Sequence, residues 1–229
     1  MVMTKPTAFS EQERDAVYRV LAERRDVRHG YTPELLPETL LRRLLGAAHC
    51  APSVGLMQPS RFVVVRDRAV RESIHSAFLE ANEKALANYE GERRDLYSSL
   101  KLEGIVEAPQ NLCVLSDPDS ERGHRLGRQT MPETAVYSTV CAIQNLWLAA
   151  RSEGVGVGWV SILDPARLRA ILGIPPEIVP VAYLCIGFVD QFADSPELER
   201  LGWEKQIPLD QVVSYDRFQQ PIGPGEKTV

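Results

Sequence analysis

A single α+β domain in three layers is the fold class this sequence predicts, on three observations. The 229 residues suit one domain better than two very small ones. The composition, 44% hydrophobic and 25% charged, is that of an ordinary globular chain and argues against a disordered, collagen-like or disulfide-miniprotein class. Helix-like and strand-like stretches interleave, but at irregular spacing, with no internal repeat and no low-complexity linker.

The elements follow in order. Ser10 and Glu13 make a capping-box pattern ahead of an amphipathic run ending near Arg24, where the Ser10 hydroxyl can accept from an otherwise unpartnered first-turn amide. A helix is expected from Pro37 to about Cys50, because Leu40, Leu41, Leu44, Leu45 and Ala48 recur on one face. Phe62 to Val65 reads as a buried strand. Residues 68–90 read as a helix through Val70, Ile74, Ala77, Phe78 and Ala81, and Gly91 to Tyr97 as a charged, exposed connection. Leu112 to Leu115 is a second strand, bounded by Pro109 and the turn Ser116-Asp117-Pro118-Asp119. The polar stretch 121–131 is a loop and a candidate lid. Pro132 to Glu153 is the longest helix, with Val136, Val140, Ile143, Trp147 and Ala150 in period and Gly154 suited to its C-terminal cap. Gly158 to Ile162 is a third strand, Asp164-Pro165 opens a short helix that Gly173 closes, and Val181 to Phe188 is a fourth strand. From Asp190 to residue 229 the chain turns polar, yet it carries Leu201, Trp203, Ile207, Leu209, Val212 and Val213. These need a covering surface. An arm laid across a partner subunit is expected, with packing on its own domain as the alternative.

Charge and cysteine usage narrow the function. Acidic residues number 31 and basic residues 26, a net charge of −5, where a generic nucleic-acid binder carries a basic excess. Any anion site is therefore local. The apolar runs at 142–150 and 179–189 are interrupted and fall short of the ~20 residues that cross a bilayer. The N-terminal MVMTKPTAFSEQERD has no apolar signal core, so a cytoplasmic location is expected. Cys50, Cys113, Cys141 and Cys185 have no zinc spacing and read as reduced, mostly buried thiols. His29, His49, His75 and His124 show no metal-ligand spacing, so no metal site is expected.

Three segments could carry chemistry. Arg24-Arg25-Asp26-Val27-Arg28 gathers three guanidiniums whose forked donors match a phosphate, or else forms a solvated helix end. Ala51-Pro52-Ser53-Val54-Gly55-Leu56-Met57-Gln58-Pro59 can present amides and a hydroxyl to a ligand, or is plain turn chemistry. Gly154-Val155-Gly156-Val157-Gly158-Trp159-Val160-Ser161 lets a backbone come close to a flat ligand. It follows a helix and leads into a strand, the reverse of a dinucleotide fingerprint.

Taken together, these segments resemble the nitroreductase-like flavoproteins. Within that family the match is closer to the branch that makes 5,6-dimethylbenzimidazole, the lower ligand of cobalamin, from FMN. RRDVR (24–28), APSVGLMQP (51–59), LKLEGIVEAP (100–109), LGRQTMPET (126–134), YSTVCAIQNLWLAARSEGVGVGWVSIL (137–163) and PELERLGW (196–203) carry it, over about residues 15–213. Two positions depart: Ser60 stands where an aromatic is expected, and Gln206 where relatives tend to be basic, leaving Lys205 to serve there.

The resemblance implies a mixed sheet flanked by helices, a homodimer with exchanged C-terminal arms, and FMN at the dimer interface. It implies that Arg24, Arg25 and Arg28 hold the phosphate. Ser53 would meet the flavin or ribityl region, and Lys101 would donate to the pyrimidine edge. Gly158, Trp159, Val160 and Ser161 would line the ring, and Lys205 would help from the arm. It further implies that reduced FMN is a substrate, fragmented with dioxygen to dimethylbenzimidazole and erythrose 4-phosphate, and that a separate flavin reductase supplies it. Ordinary relatives carry a neutral residue at the position of Asp26. An ionised carboxylate only accepts hydrogen bonds, and beside a phosphate it is repelled by roughly 4 kcal/mol at about 4 Å and an effective dielectric near 20. Asp26 is therefore read as a base acting at the first ribityl carbon, with Ser161 as its hydrogen-bonding companion. The alternative is that Arg24 or Arg28 merely neutralises Asp26. A flavoprotein that oxidises NAD(P)H and keeps its FMN, and a non-catalytic flavin binder, stay open as other readings.

Overall fold

The computed structural model describes residues 8–218. The first helix, α1 (Glu11–Glu23), begins on the expected capping box: Ser10 Oγ accepts from the Glu13 amide, and Glu13 accepts from the Ser10 amide at 2.9 Å. α2 (Glu38–His49) buries Leu40, Leu41, Leu44 and Ala48. β1 (Ser60–Val65) leads into α3 (Arg68–Leu86), capped by the Asp67 carboxylate at the Ala69 amide, 2.8 Å. Gly91–Ser99 forms the helix α4; residues 91–95 are exposed, as their charge suggests, while Tyr97 buries its ring against Tyr89 and Trp203. Next come β2 (Gln110–Ser116), α5 (Thr134–Ser152), β3 (Val155–Val160), α6 (Pro165–Leu172), β4 (Val179–Phe188) and the short α7 (Glu197–Arg200). β3 thus starts three residues earlier than expected and includes the glycine run itself. Asp164 caps α6, and Gly173 closes it at a φ of 65°.

The strands lie in the order β1-β2-β4-β3. All three ladders are antiparallel, where a mixed sheet was expected. The parallel component is confined to an isolated bridge between Asp26 and Val157 on the outer edge of β3. Alternation along the strands builds the three layers. Leu112, Val114, Ala182, Leu184, Ile186, Val155 and Val157 meet α2 and α5 on one face. Cys113, Leu115, Tyr183, Cys185 and Val160 meet α3 and α6 on the other. No helix among the described residues is long and apolar enough to cross a membrane.

The C-terminal arm begins later than its polarity suggests. Residues 190–203 pack on their own chain: Trp203 stands edge-on to Tyr89 and Tyr97, and the Arg93 guanidinium lies 4.1 Å from its ring centre. Beyond it Ile207, Leu209, Val212 and Val213 are exposed. The remainder of the arm, 219–229, lies outside the described residues, as do residues 1–7.

Candidate functional site

The centre of the site is the segment that leaves α1. Arg24 ends the helix in an extended conformation, so the next residues run alongside β3 instead of continuing the helical turn. The Val27 amide donates to the Val157 carbonyl at 3.0 Å. On an extended segment, residues 26 and 28 share one face. That places Asp26 Oδ2 2.6 Å from the Arg28 guanidinium, while Asp26 Oδ1 accepts from the Trp159 amide at 2.9 Å. Arg28 thus pairs with Asp26, and the carboxylate is held at two points.

The glycine run has a packing reason of its own. A Cβ at Gly158 would overlap the Val27 carbonyl oxygen, and one at Gly156 would come within 2.5 Å of the Val189 side chain. The close approach expected of a flat ligand is made here by the chain's own backbone. Gly154, at a φ of 74° with open space around it, serves the end of α5.

A cleft of about 750 Å3 lies between residues 24–30 and the segment 190–200. Its size falls in the roughly 300–1,000 Å3 range of small-molecule sites. The three arginines line it, but they do not converge as free donors. Arg24 stacks over Trp147, 4.8 Å from the ring centre. Arg25 donates to the carbonyls of Ala22 and Arg24, both at 2.7 Å, and to that of Asp194, and its Nε is buried without a partner. Arg28 also meets Glu197 at 3.7 Å, and Glu197 takes His29 at 3.0 Å. Sequence reasoning did not find Glu197, Asp194 or Trp147, whose indole donates to the Arg25 carbonyl at 3.1 Å. Their distance along the chain left no local pattern to read.

The other expected residues are dispersed. Trp159 packs against Trp147, with ring centres 6.5 Å apart, and Val160 turns into the core below α3. Ser161 is exposed just past β3. Lys101 sits between Glu103 at 3.1 Å and Glu107 at 2.8 Å. Partial burial works to lower its pKa, but the two carboxylates outweigh burial and raise it. Ser53 accepts from the Gln58 amide at 3.1 Å and faces the candidate lid, where Gly55 and Gly123 touch and Arg122 donates to Gln58 at 3.1 Å. Leu56, Gln58, His124 and Arg125 all hold positive φ in these two turns, a strain of about 1–3 kcal/mol each. Lys205 is exposed, and Ser53, Lys101, Ser161 and Lys205 lie outside the lining of the arginine cleft.

Comparison with known proteins bears on this arrangement. The chain matches the model of the Nitroreductase family over residues 21–188. It is 49% identical over 200 residues to the 5,6-dimethylbenzimidazole synthase of Rhodospirillum rubrum, covering 87% of this chain and 94% of that one. It is 42% identical over 202 residues to a protein of the same name from Rhodobacter capsulatus, covering 88% and 97%. Its fold is similar to that of an iodotyrosine deiodinase solved with FMN and 3-iodo-L-tyrosine, with a TM-score of 0.69 at 22% identity over 88% of this chain and 100% of that one. An NADPH:FMN oxidoreductase from Vibrio harveyi, solved with NAD+, has a TM-score of 0.64 at 18% identity over 90% and 79%.

Proposed function

The chain belongs to the nitroreductase family, and on that premise we propose that it fragments reduced FMN, with dioxygen as co-substrate, to 5,6-dimethylbenzimidazole and D-erythrose 4-phosphate, the pyrimidine part of the ring leaving as a separate oxidised fragment. One observation carries the reading: a carboxylate, Asp26, held by Arg28 and the Trp159 amide on the lining of a cleft that Arg24 and Arg25 also line. A site built only to hold a phosphate gains nothing from a negative charge there. Arg28 offsets the repulsion between that carboxylate and a phosphate.

The residues present fit FMN. Arg25 Nε is a buried donor without a partner on the cleft wall, and Arg28 and His29 are engaged by a glutamate on the opposite wall that an anionic group can replace. Arg24, Arg25 and Arg28 would hold the phosphate. Ser161 and the backbone of Gly158, Trp159 and Val160 would face the ring, Ser53 would meet the ribityl region, and Lys101 would donate to the pyrimidine edge, with Lys205 assisting from the arm. When bound, reduced FMN supplies the carbon skeleton of the product and the electrons that dioxygen takes up. Asp26 would take a proton from the first ribityl carbon, Ser161 would donate a hydrogen bond beside it, and the 121–131 turn would limit the entry of water. A separate NAD(P)H-driven flavin reductase supplies the reduced substrate.

The site spans two copies of the chain in this reading. Val17, Tyr18 and Leu21 on α1 and Tyr137 and Val140 on α5 are exposed apolar residues, as are those of the outer arm, and a homodimer would cover them.

The test is a single turnover of reduced FMN in air. Asp26→Asn should bind FMN at least as well as the natural protein and lose about 10²–10⁴-fold in benzimidazole formation, returning yellow FMN instead. A rate near that of the natural protein removes Asp26 from the mechanism. NAD(P)H consumption with FMN intact would assign the chain to the oxidoreductase branch of the family.

A further inference from the structure

Tyr31 stands four residues past Val27 and is enclosed on three sides by positions that admit only glycine. A Cβ at Gly104 would lie 2.8 Å from its Cε2, one at Gly187 3.2 Å from its Cδ1, and one at Gly158 3.2 Å from its hydroxyl. Its backbone is tied to the end of β4 by an antiparallel bridge to Val189, with the Thr32 amide donating to the Phe188 carbonyl at 2.9 Å. From that anchor the hydroxyl reaches back and donates to the Val27 carbonyl at 2.7 Å, with the Cys185 carbonyl at 3.2 Å as a second acceptor. Burial pushes the phenol well above its ordinary pKa, so it stays a neutral donor throughout the working range.

The hydrogen bonds of Val27 explain why this contact matters for chemistry two bonds away. The Val27 amide is held by Val157 and the Val27 carbonyl by Tyr31, so both peptide planes flanking that residue are locked. Asp26 and Arg28 are the residues on either side, and their pairing at 2.6 Å exists because Val27 stays extended. Without the hydroxyl, the Val27 carbonyl would still pack against Gly158 but would lose its Tyr31 donor, and the plane carrying the Arg28 amide would be held by packing alone.

We infer that Tyr31 is a positioning residue for the reaction: its hydroxyl, acting through the Val27 carbonyl, holds the Asp26–Arg28 pair in its reactive orientation. The inference rests on the reading of Asp26 as the base. It assigns Tyr31 no contact with FMN.

The experiment is a double-mutant cycle in the full chain, comparing the natural protein, Tyr31→Phe, Asp26→Asn and the double variant. FMN affinity is measured by fluorescence quenching and product formation in a single turnover of reduced FMN. Tyr31→Phe keeps the ring and should leave FMN affinity within about threefold while lowering the rate of product formation by roughly tenfold. In the Asp26→Asn background the same change should cost nothing further in rate, since a residue that works through Asp26 has nothing left to position. Loss of thermal stability should be alike in both backgrounds, which separates packing from positioning. Equal rate losses in the two backgrounds, or an unchanged rate in Tyr31→Phe alone, would overturn the inference while leaving Asp26 as the base. Asp26→Asn at the natural rate would overturn the functional reading itself, and this inference with it.

Discussion

At Gly158 the packing of two backbones leaves no volume for a single carbon atom. The obstacle is the carbonyl of Val27, which cannot swing aside as a flexible side chain would. Gly158→Ala should therefore cost about 3 kcal/mol or more and detach residues 26–28 from β3. Gly154→Ala, in open space at positive φ, should cost only about 1 kcal/mol. Urea unfolding of both variants checks the contrast, and equal costs would remove the close approach as the reason for the glycine run. Arg28 makes a separate prediction. Charge-assisted bonds contribute roughly 1.5–3 kcal/mol each. Arg28→Ala should weaken FMN about 10- to 100-fold and affect riboflavin much less, and equal losses for the two ligands would end its assignment to the phosphate. The arginine cluster was legible from residue type and spacing. Its ties to Glu197 and Trp147 were not, since those partners are more than a hundred residues away.

Among the elements, the segment 190–203 bears most on the cleft. Its Trp203 packs on Tyr89 and Tyr97 of its own chain. That clamp holds α7 over the cleft, with Glu197 only 17% exposed and facing Arg28 and His29. In the proposed function a phosphate takes over these partners. Glu197→Gln should therefore tighten FMN by roughly tenfold, about 1.4 kcal/mol, and leave riboflavin unchanged. Titration of both ligands into the variant decides it: weaker FMN binding would show that Glu197 supports Arg28 rather than competing for it. Glu199→Gln is the control, because that carboxylate takes Gln206 at 3.1 Å and meets no arginine of the cleft.

For the whole molecule, the four cysteines report on assembly. Burial pushes the Cys113 thiol up to about 12 and raises that of Cys185 as well, so neither forms thiolate near neutral pH. Cys50 and Cys141 are exposed on the single chain, where most of the four were expected to be buried. α5 buries one face in the core and leaves Tyr137, Val140 and Cys141 outside. In the proposed homodimer the second copy covers that face. Thiol labelling followed by mass spectrometry should then mark Cys50 first, Cys141 only on dilution to monomer, and Cys113 and Cys185 only on unfolding. Rapid labelling of Cys141 at concentrations where light scattering reads a dimer would place the interface elsewhere.

Most of the helices and strands were readable from the chain because their signals are local. The capping box at Ser10, the Asp-Pro start of α6 and the alternation along β2 and β4 depend on neighbours within a few residues. The residue types of the site were readable for the same reason: three arginines and a carboxylate fall within five positions, a phosphate match or a solvated helix end on that segment alone. The direction of the ladders, the cis packing of Trp203 and the pairing of Asp26 with Arg28 were decided only in the fold. Each depends on which segment lies beside which after the sheet has formed, and on Val27, a residue of no obvious chemistry, being held extended by a tyrosine and a strand that reach it through space.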